Sequence, residues 1–233
     1  VTNEQQSIAA VAQAVERFGQ IDLLVNNAGR GLLGAVEEAS DAETRAVFET
    51  NVFGLLTVTR AVLPVMRRQR SGRIINISSV GGFRGSVGWG VYNATKFAVE
   101  GNSEALGHEL RPLGITVTVV EPGFFRTDFL AGSSLRQAVR ELDDYAATAG
   151  ASRARARAVN NGQPGDPAKA AAAIYTIATA VEPPTRLQLG ADAVAAVEAK
   201  LDLVRDELSR WRELSLSTGH AIRDKCTRGA WKG

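Results

Sequence analysis

Ile21-Asp22-Leu23-Leu24-Val25-Asn26-Asn27-Ala28-Gly29 is the stretch that decides the architecture. Ile21–Val25 reads as an apolar run of the kind found in strands buried on both faces of a parallel sheet. It closes on a polar Asn-Asn-Ala-Gly turn. Upstream, Asn3 can cap a helix from Glu4 to Phe18, with Ile8, Val11 and Val15 on one face and Gly19 as its stop. Downstream, Ser40 and Glu43 form a capping box for a long helix reaching about Arg70. Ile74–Ile77 is the next strand. A glycine-rich loop from Gly81 to Gly90 leads into a helix over about Val91–Leu110, and Ile115–Val120 is a third strand. Beyond Pro122-Gly123 the patterning weakens until Asp166-Pro167, an N-cap followed by proline at the first helical position, opens a helix to about Val181. Arg186–Leu189 reads as a short strand and Asp192–Leu214 as a last helix. Alternating helices and parallel strands joined by helical crossovers imply a doubly wound parallel α/β sheet. No repeat or linker divides it, so one domain is expected over residues 1–218, with a tail at 219–233.

Composition narrows the function. The 233 residues are 45% hydrophobic and 22% charged, with a net charge of +2, which excludes a disordered chain. The longest apolar stretches, such as Ile115–Val120, fall short of the ~18 residues that cross a bilayer. A single cysteine, Cys226, allows no intrachain disulfide, so a reducing compartment, the cytoplasm, is expected. Cys226, His108 and His220 are too scattered for a zinc site. The small basic excess forms no aromatic-interleaved stripe for nucleic acid. A serine hydrolase is disfavoured as well: Ser78 and Ser79 stand in no G-x-S-x-G elbow, and His108 and His220 are poor partners for them.

Tyr92 and Lys96 lie four apart near a helix start and share a face. A phenol titrates near 10, so it is a weak base at neutral pH, and a cation within ~4–6 Å lowers such a group by about 1–3 units. Ser79, at a strand's carboxyl end, can hydrogen-bond a carbonyl oxygen. Tyr-x-x-x-Lys alone occurs by chance roughly once in 15 chains of this composition, so its weight comes from its surroundings.

Those surroundings are ordered. Asn26-Asn27-Ala28-Gly29 follows a strand, Asn51 stands in the next helix, and Ile77-Ser78-Ser79 ends a strand. Tyr92-Asn93-Ala94-Thr95-Lys96 and Pro122-Gly123-Phe124-Phe125-Arg126-Thr127 complete the series. Together they resemble the short-chain dehydrogenase/reductase family over about residues 1–190, and Glu121–Phe129 looks like its 17β-hydroxysteroid-dehydrogenase-like branch. The resemblance implies a Rossmann-like fold and NAD- or NADP-dependent hydride transfer between an alcohol and a ketone or aldehyde. Tyr92 would be the acid/base, and Lys96 would lower its pKa and bind the nicotinamide ribose. Ser79 would hold the substrate oxygen, and Asn51 would position a water leading to Lys96. Asn26, Ala28 and Gly29 would line the adenosine side, while Pro122, Gly123, Phe125 and Thr127 would hold the nicotinamide end. Asn26 and Asn27 could instead stitch the sheet. Leu32, Leu33, Phe83, Trp89, Phe124, Phe129 and Leu130 would favour an apolar substrate, or serve as ordinary packing.

The family begins with a strand and a T-G-x-x-x-G-x-G turn that receives the pyrophosphate. These residues contain none; Gly29-Arg30-Gly31-Leu32-Leu33-Gly34 comes after the Asn-Asn-Ala-Gly turn and is not its equivalent. The expectation is a fold whose N-terminal strand–helix–strand–helix–strand, roughly 60 residues at ~30 per βαβ unit, is absent. Val1-Thr2 would then end the third strand, with Val1 against the adenine. Ile21–Val25 would be an open edge, and the chain by itself aggregation-prone and a weak binder of NADH or NADPH. The competing reading is a non-catalytic relative unable to bind cofactor. Val194, Val197, Leu201, Val204, Leu208 and Trp211 alternate spacings of three and four. That is a coiled-coil-like seam, and with the family's habit of pairing it implies a homo-oligomer.

Overall fold

A computed structural model describes residues 1–132 and 134–220. Cys226 and most of the expected tail lie outside them. Four parallel strands form the main sheet in the order β1 (Leu23–Asn26), β3 (Gly72–Ile77), β4 (Ile115–Pro122), β6 (Arg186–Leu189). Ile74 pairs with Leu24 on one side and Val117 on the other, which fixes the register of β1, β3 and β4. Alternation along β3 sends Ile74 and Ile75 to opposite faces. Ile74 joins Val62, Met66, Leu110, Ile115 and Val117, the helical members coming from α3 (Leu55–Gln69) and α4 (Gly90–Leu110). Ile75 and Val120 meet Ile177 of α6 (Pro167–Thr179). Helices therefore cover both faces, and the sheet is doubly wound as its pattern predicts.

The helix ends obey the capping signals. In α1 (Glu4–Phe18) the Asn3 side chain accepts from Gln6 N, and Gly19 closes the helix with φ 80°. Both halves of the Ser40–Glu43 capping box are present at the start of α2 (Asp41–Phe48). Asp166 accepts from Ala168 N and Lys169 N before Pro167. The long helix is interrupted by one π-helical stretch, Glu49–Gly54, which carries Asn51 between α2 and α3. Single π turns inside helices recur at functional sites because they re-aim a side chain.

The structure corrects three expectations. The first strand is four residues starting at Leu23, because the Ile21 N–H and C=O are taken by the Gln69 side chain at 3.0 and 2.9 Å. It stands at the sheet's edge, as expected for these residues, and is not buried on both faces: Leu23 and Val25 are each 40% exposed. Residues after Pro122 are also better ordered than their patterning suggests. β5 (Leu135–Gln137) pairs in parallel with β2 (Gly31–Leu33), and α5 (Ala151–Val159) follows. Finally, among the described residues one helical run, Asp41–Gln69, is long and apolar enough to cross a bilayer by length and composition. Here its Leu55, Val62, Val65 and Met66 are buried, and it serves as a core helix of the α/β fold.

By contact density the chain divides into Val1–Val197 and Glu198–Gly233. The first unit holds the sheet. In the second, the described part is the distal portion of α7 (Ala191–Leu216), where Leu201, Val204, Leu208 and Trp211 are exposed.

Candidate active site

The parallel strands β1, β3 and β4 end on one side of the sheet, the side on which sheets of this kind carry ligands. β3 ends at Ile77, and the chain turns through Ser78 and Ser79 into a short 3-10 turn, Val80–Gly82. Ser79 Oγ accepts from Gly81 N at 3.0 Å, which fixes the hydroxyl at the strand end. Asn93 secures the loop that follows. Its Nδ2 donates to Gly81 O at 2.9 Å and its Oδ1 accepts from Ser86 N at 2.8 Å. Asn93 has no role implied by the Tyr92–Lys96 motif; its signal in the sequence is an amide in the first turn of a helix after a glycine-rich loop.

Tyr92 and Lys96 meet as their spacing predicts. Lys96 Nζ lies 5.8 Å from the Tyr92 ring centroid and donates to Ile77 O at 2.9 Å. Tyr92 is 8% exposed and Lys96 6%. Burial pushes the phenol up to about 12, with Ser79 as the one hydrogen-bonding group that pulls it down. Burial likewise brings Lys96 down to about 8, opposed by the charge of Glu100. So desolvation outweighs the Ser79 hydrogen bond, and Tyr92 keeps its proton at neutral pH.

Asn51 is buried and pins the backbone of the β1–β2 turn. It accepts from Arg30 N at 2.9 Å and donates to Arg30 O and Thr95 Oγ1, each at 2.9 Å. Gly29 lies between it and the lysine: a methyl there would stand 3.5 Å from Asn51 Oδ1 and 3.6 Å from Lys96 Nζ. Asn51, Gly29, Tyr92, Lys96 and Ser79 thus converge.

Asn26 does something else. Its Nδ2 donates to Thr59 Oγ1 at 3.1 Å and to Asn76 Oδ1 at 2.9 Å, and Asn76 in turn donates to Ser103 Oγ. This is sheet stitching, centred on a fully buried Asn76 that sequence reading passed over as a strand residue. Val1, Asn27 and Ala28 line a cavity of about 160 Å³ with Val25, Asn26, Leu55 and Val58.

Past β4, Pro122, Gly123 and Phe125 are partly buried and Thr127 is exposed. Gly123 N donates to Leu189 O at 2.9 Å, and Phe124 N donates to Asp192 Oδ2 at 2.8 Å. The Asp192 carboxylate occupies the space a Gly123 side chain would need. Asp192 was thus a missed positioning residue for this turn. Thr127 Oγ1 accepts from Phe129 N at 3.3 Å.

An aromatic wall stands over the phenol. Ring centroids of Trp89 and Phe129 lie 5.6 and 5.7 Å from that of Tyr92. Leu33, Leu135 and Ala156 are buried beside Trp89 and Leu130, so Leu33 is packing and not surface. This lid is tied down by a buried ion pair. Arg153 Nη1 and Nη2 donate to Glu38 at 2.7 and 3.2 Å, and Glu38 also accepts from Ala35 N and Leu142 N.

A family model described as "short chain dehydrogenase" matches residues 1–138. Oxidoreductase BOA17 of Botryotinia fuckeliana is 38% identical over 218 residues, 94% of this chain and 79% of its own length. A 3-ketodihydrosphingosine reductase of Bacteroides thetaiotaomicron is 45% identical over 146 residues, 63% of this chain and 54% of its own. Human retinol dehydrogenase 8 is 44% identical over 124 residues, 53% of this chain and 39% of its own. Among solved structures, a short-chain dehydrogenase from Streptomyces avermitilis superposes with a TM-score of 0.85 and 43% identity, covering 94% of this chain and 79% of that one. Structural neighbours bind NAD+ or NADP. A xylitol dehydrogenase with NAD+ bound aligns at TM-score 0.54, with 33% identity over 55% of this chain and 50% of its own. ElxO with NADP bound aligns at 0.66, with 26% identity over 83% of this chain and 75% of its own.

Proposed function

The chain belongs to the short-chain dehydrogenase/reductase family, and from that premise we propose that it interconverts an apolar alcohol and its ketone or aldehyde with NAD or NADP. The observation that carries this is the convergence of Ser79, Tyr92 and Lys96, with Gly29 leaving open backbone between Lys96 Nζ and Asn51 Oδ1. The nicotinamide supplies or accepts the hydride when bound; the protein's work is with the proton and the oxygen. Ser79 Oγ holds the substrate oxygen. Tyr92, protonated at neutral pH, gives that oxygen its proton during reduction, and Lys96 balances the phenolate left behind. Asn51 Oδ1 faces the lysine across Gly29, where a water would link the two.

The residues fit a dinucleotide at its two ends. Val1, Asn27 and Ala28 would meet the adenosine side, with Gly29 beside the ribose. Pro122, Gly123, Phe125 and Thr127, on a turn fixed by Asp192, would meet the carboxamide side. Asn26 acts through the sheet. No glycine-rich strand-to-helix turn for the pyrophosphate occurs in these residues. Trp89, Phe129 and Leu130 around the phenol support an apolar substrate, as do two relatives named for an apolar ketone and an apolar alcohol.

The test is oxidation of NADH and of NADPH, each at millimolar concentration, by a series of ketones of rising chain length. Saturable turnover that improves with apolar length is expected; turnover of sugars or hydroxy acids alone, or none, would overturn the reading.

We also propose that the exposed Leu201, Val204, Leu208 and Trp211 support self-association. Light scattering should give at least twice the chain mass, and Leu208→Glu should lower it. A monomeric mass for the unsubstituted chain is the contrary result.

A further inference from the structure

Along α4 the catalytic pair continues into two acids. Tyr92, Lys96, Glu100 and Glu104 follow at intervals of four residues, on one helix face. Glu100 is 6% exposed and Glu121, on β4, is fully buried. Both carboxyls reach Arg186 of β6, whose Nε is 3.1 Å from Glu100 Oε2 and 3.7 Å from Glu121 Oε1. The same guanidinium pairs with Glu104, and His108 stands one turn beyond. Gln188 Nε2 donates to Glu121 Oε2 at 3.1 Å. Three buried atoms are left without a partner of good geometry: Glu100 Oε1, Glu121 Oε1 and Ser78 Oγ. Ser78 and Glu100 lie together over Gly82, where a methyl would be 2.5 Å from Ser78 Oγ and 3.1 Å from Glu100 Cγ.

One guanidinium serves three carboxyls. Glu100 and Glu121 are buried beside Arg186, and the exposed Glu104 also engages it, so the two buried carboxyls share less than one full positive charge from it, a costly arrangement. One proton held by the Glu100–Glu121 pair relieves this and gives the orphan oxygens a donor. Two carboxyls this close titrate as a pair and do not both ionise readily. Burial pushes both upward, against the pull of Ser78 on Glu100, of Gln188 on Glu121 and of Arg186 on both; the charge of Glu121 raises Glu100 further, and the net direction is the one a shared proton requires. The negative charge that remains is the one that opposes desolvation at Lys96.

We propose that Glu100 is a positioning residue for the reaction: backed by Glu121 and Arg186, it keeps Lys96 in its ammonium form beside Tyr92. The proposal rests on the reading of Tyr92 and Lys96 as the acid–base pair. It assigns work to a buried group that lies on the far side of the lysine from Asn51 and touches neither substrate nor cofactor.

The test is a carbon-13 NMR titration of the lysine side chains in the whole chain, which has five lysines. The Lys96 signal is identified by its loss in Lys96→Met. Glu100→Gln is expected to lower the Lys96 midpoint by about one pH unit, as removal of an opposite charge does. Glu121→Gln leaves Glu100 to carry the charge alone, so the midpoint should stay or rise. Glu100→Asp should restore most of the shift, which a packing role would not do. An unchanged midpoint in Glu100→Gln overturns the proposal, as does an equal fall in Glu121→Gln. If Glu100→Gln does not fold, Glu104→Gln at the exposed end decides. It frees Arg186 to neutralise Glu100, so a smaller fall is expected and no fall is the contrary result. A lowered midpoint in a chain that turns over no carbonyl would refute the acid–base reading while upholding the hold of Glu100 on Lys96.

Discussion

Tyr92→Phe should slow carbonyl reduction by about 10²–10⁴-fold, the usual worth of a positioned proton donor. The substitution removes one oxygen from a ring held between Trp89 and Phe129, so the wall and the fold remain. Ser79 still binds the carbonyl oxygen, so KM for the ketone should change little while kcat falls. The sign of the pH dependence follows from burial. The phenol, pushed up to about 12, carries its proton throughout the neutral range, and Lys96, brought down to about 8, loses its charge first as pH rises. Reduction should therefore decline above about pH 8 in the unsubstituted protein, and Tyr92→Phe should lack that limb. Ordinary turnover in Tyr92→Phe would remove the phenol from the mechanism.

The second large effect is on stability. Glu38→Ala should cost up to about 3–5 kcal/mol, because it leaves the buried Arg153 guanidinium with only the exposed Glu141 carboxylate, 3.4 Å away, as an ionic partner. Both side chains are at most 3% exposed, and the carboxylate also satisfies Ala35 N and Leu142 N. Replacing both partners, Glu38→Leu with Arg153→Met, should recover much of the loss, since no stranded charge remains. The Arg153 hydrogen bond is the chief reason that the Glu38 carboxyl lies at about 2, down from 4.5. A depressed carboxyl contributes stability that is full above about pH 4.5 and lost as pH falls through about 2. Glu38→Ala should flatten that acid limb. Urea unfolding measures both effects, and a cost below 1 kcal/mol would show that the lid is not held by this pair.

What could be read in the sequence was whatever depends on neighbours along the chain. Capping by Asn3, Ser40 and Asp166, the spacing of Tyr92 and Lys96, and the strand at Ile74–Ile77 are all local patterns. They placed the sheet and the core of the site. The Glu38–Arg153 clamp joins residues 115 positions apart, and each looks locally like a solvated charge. Asp192 over Gly123 and Arg186 between Glu100 and Glu121 are equally non-local. Strand β1 was legible in part. Its edge position was expected from the residues around it, whereas its apolar run implied burial on two faces that Leu23 and Val25 do not have. The phenol's protonation depends on burial depth, which spacing alone does not report.

The central claim is hydride transfer to a carbonyl carbon, with the proton arriving separately from the protein. Reduction of an apolar ketone with NADH or NADPH deuterated at C4, on each face in turn, tests it directly when the alcohol is analysed by mass spectrometry. One deuterium on the carbinol carbon from one cofactor face, lost in Tyr92→Phe along with turnover, is the expected result. Alcohol formed without deuterium from either face, or no alcohol at millimolar cofactor, would contradict it.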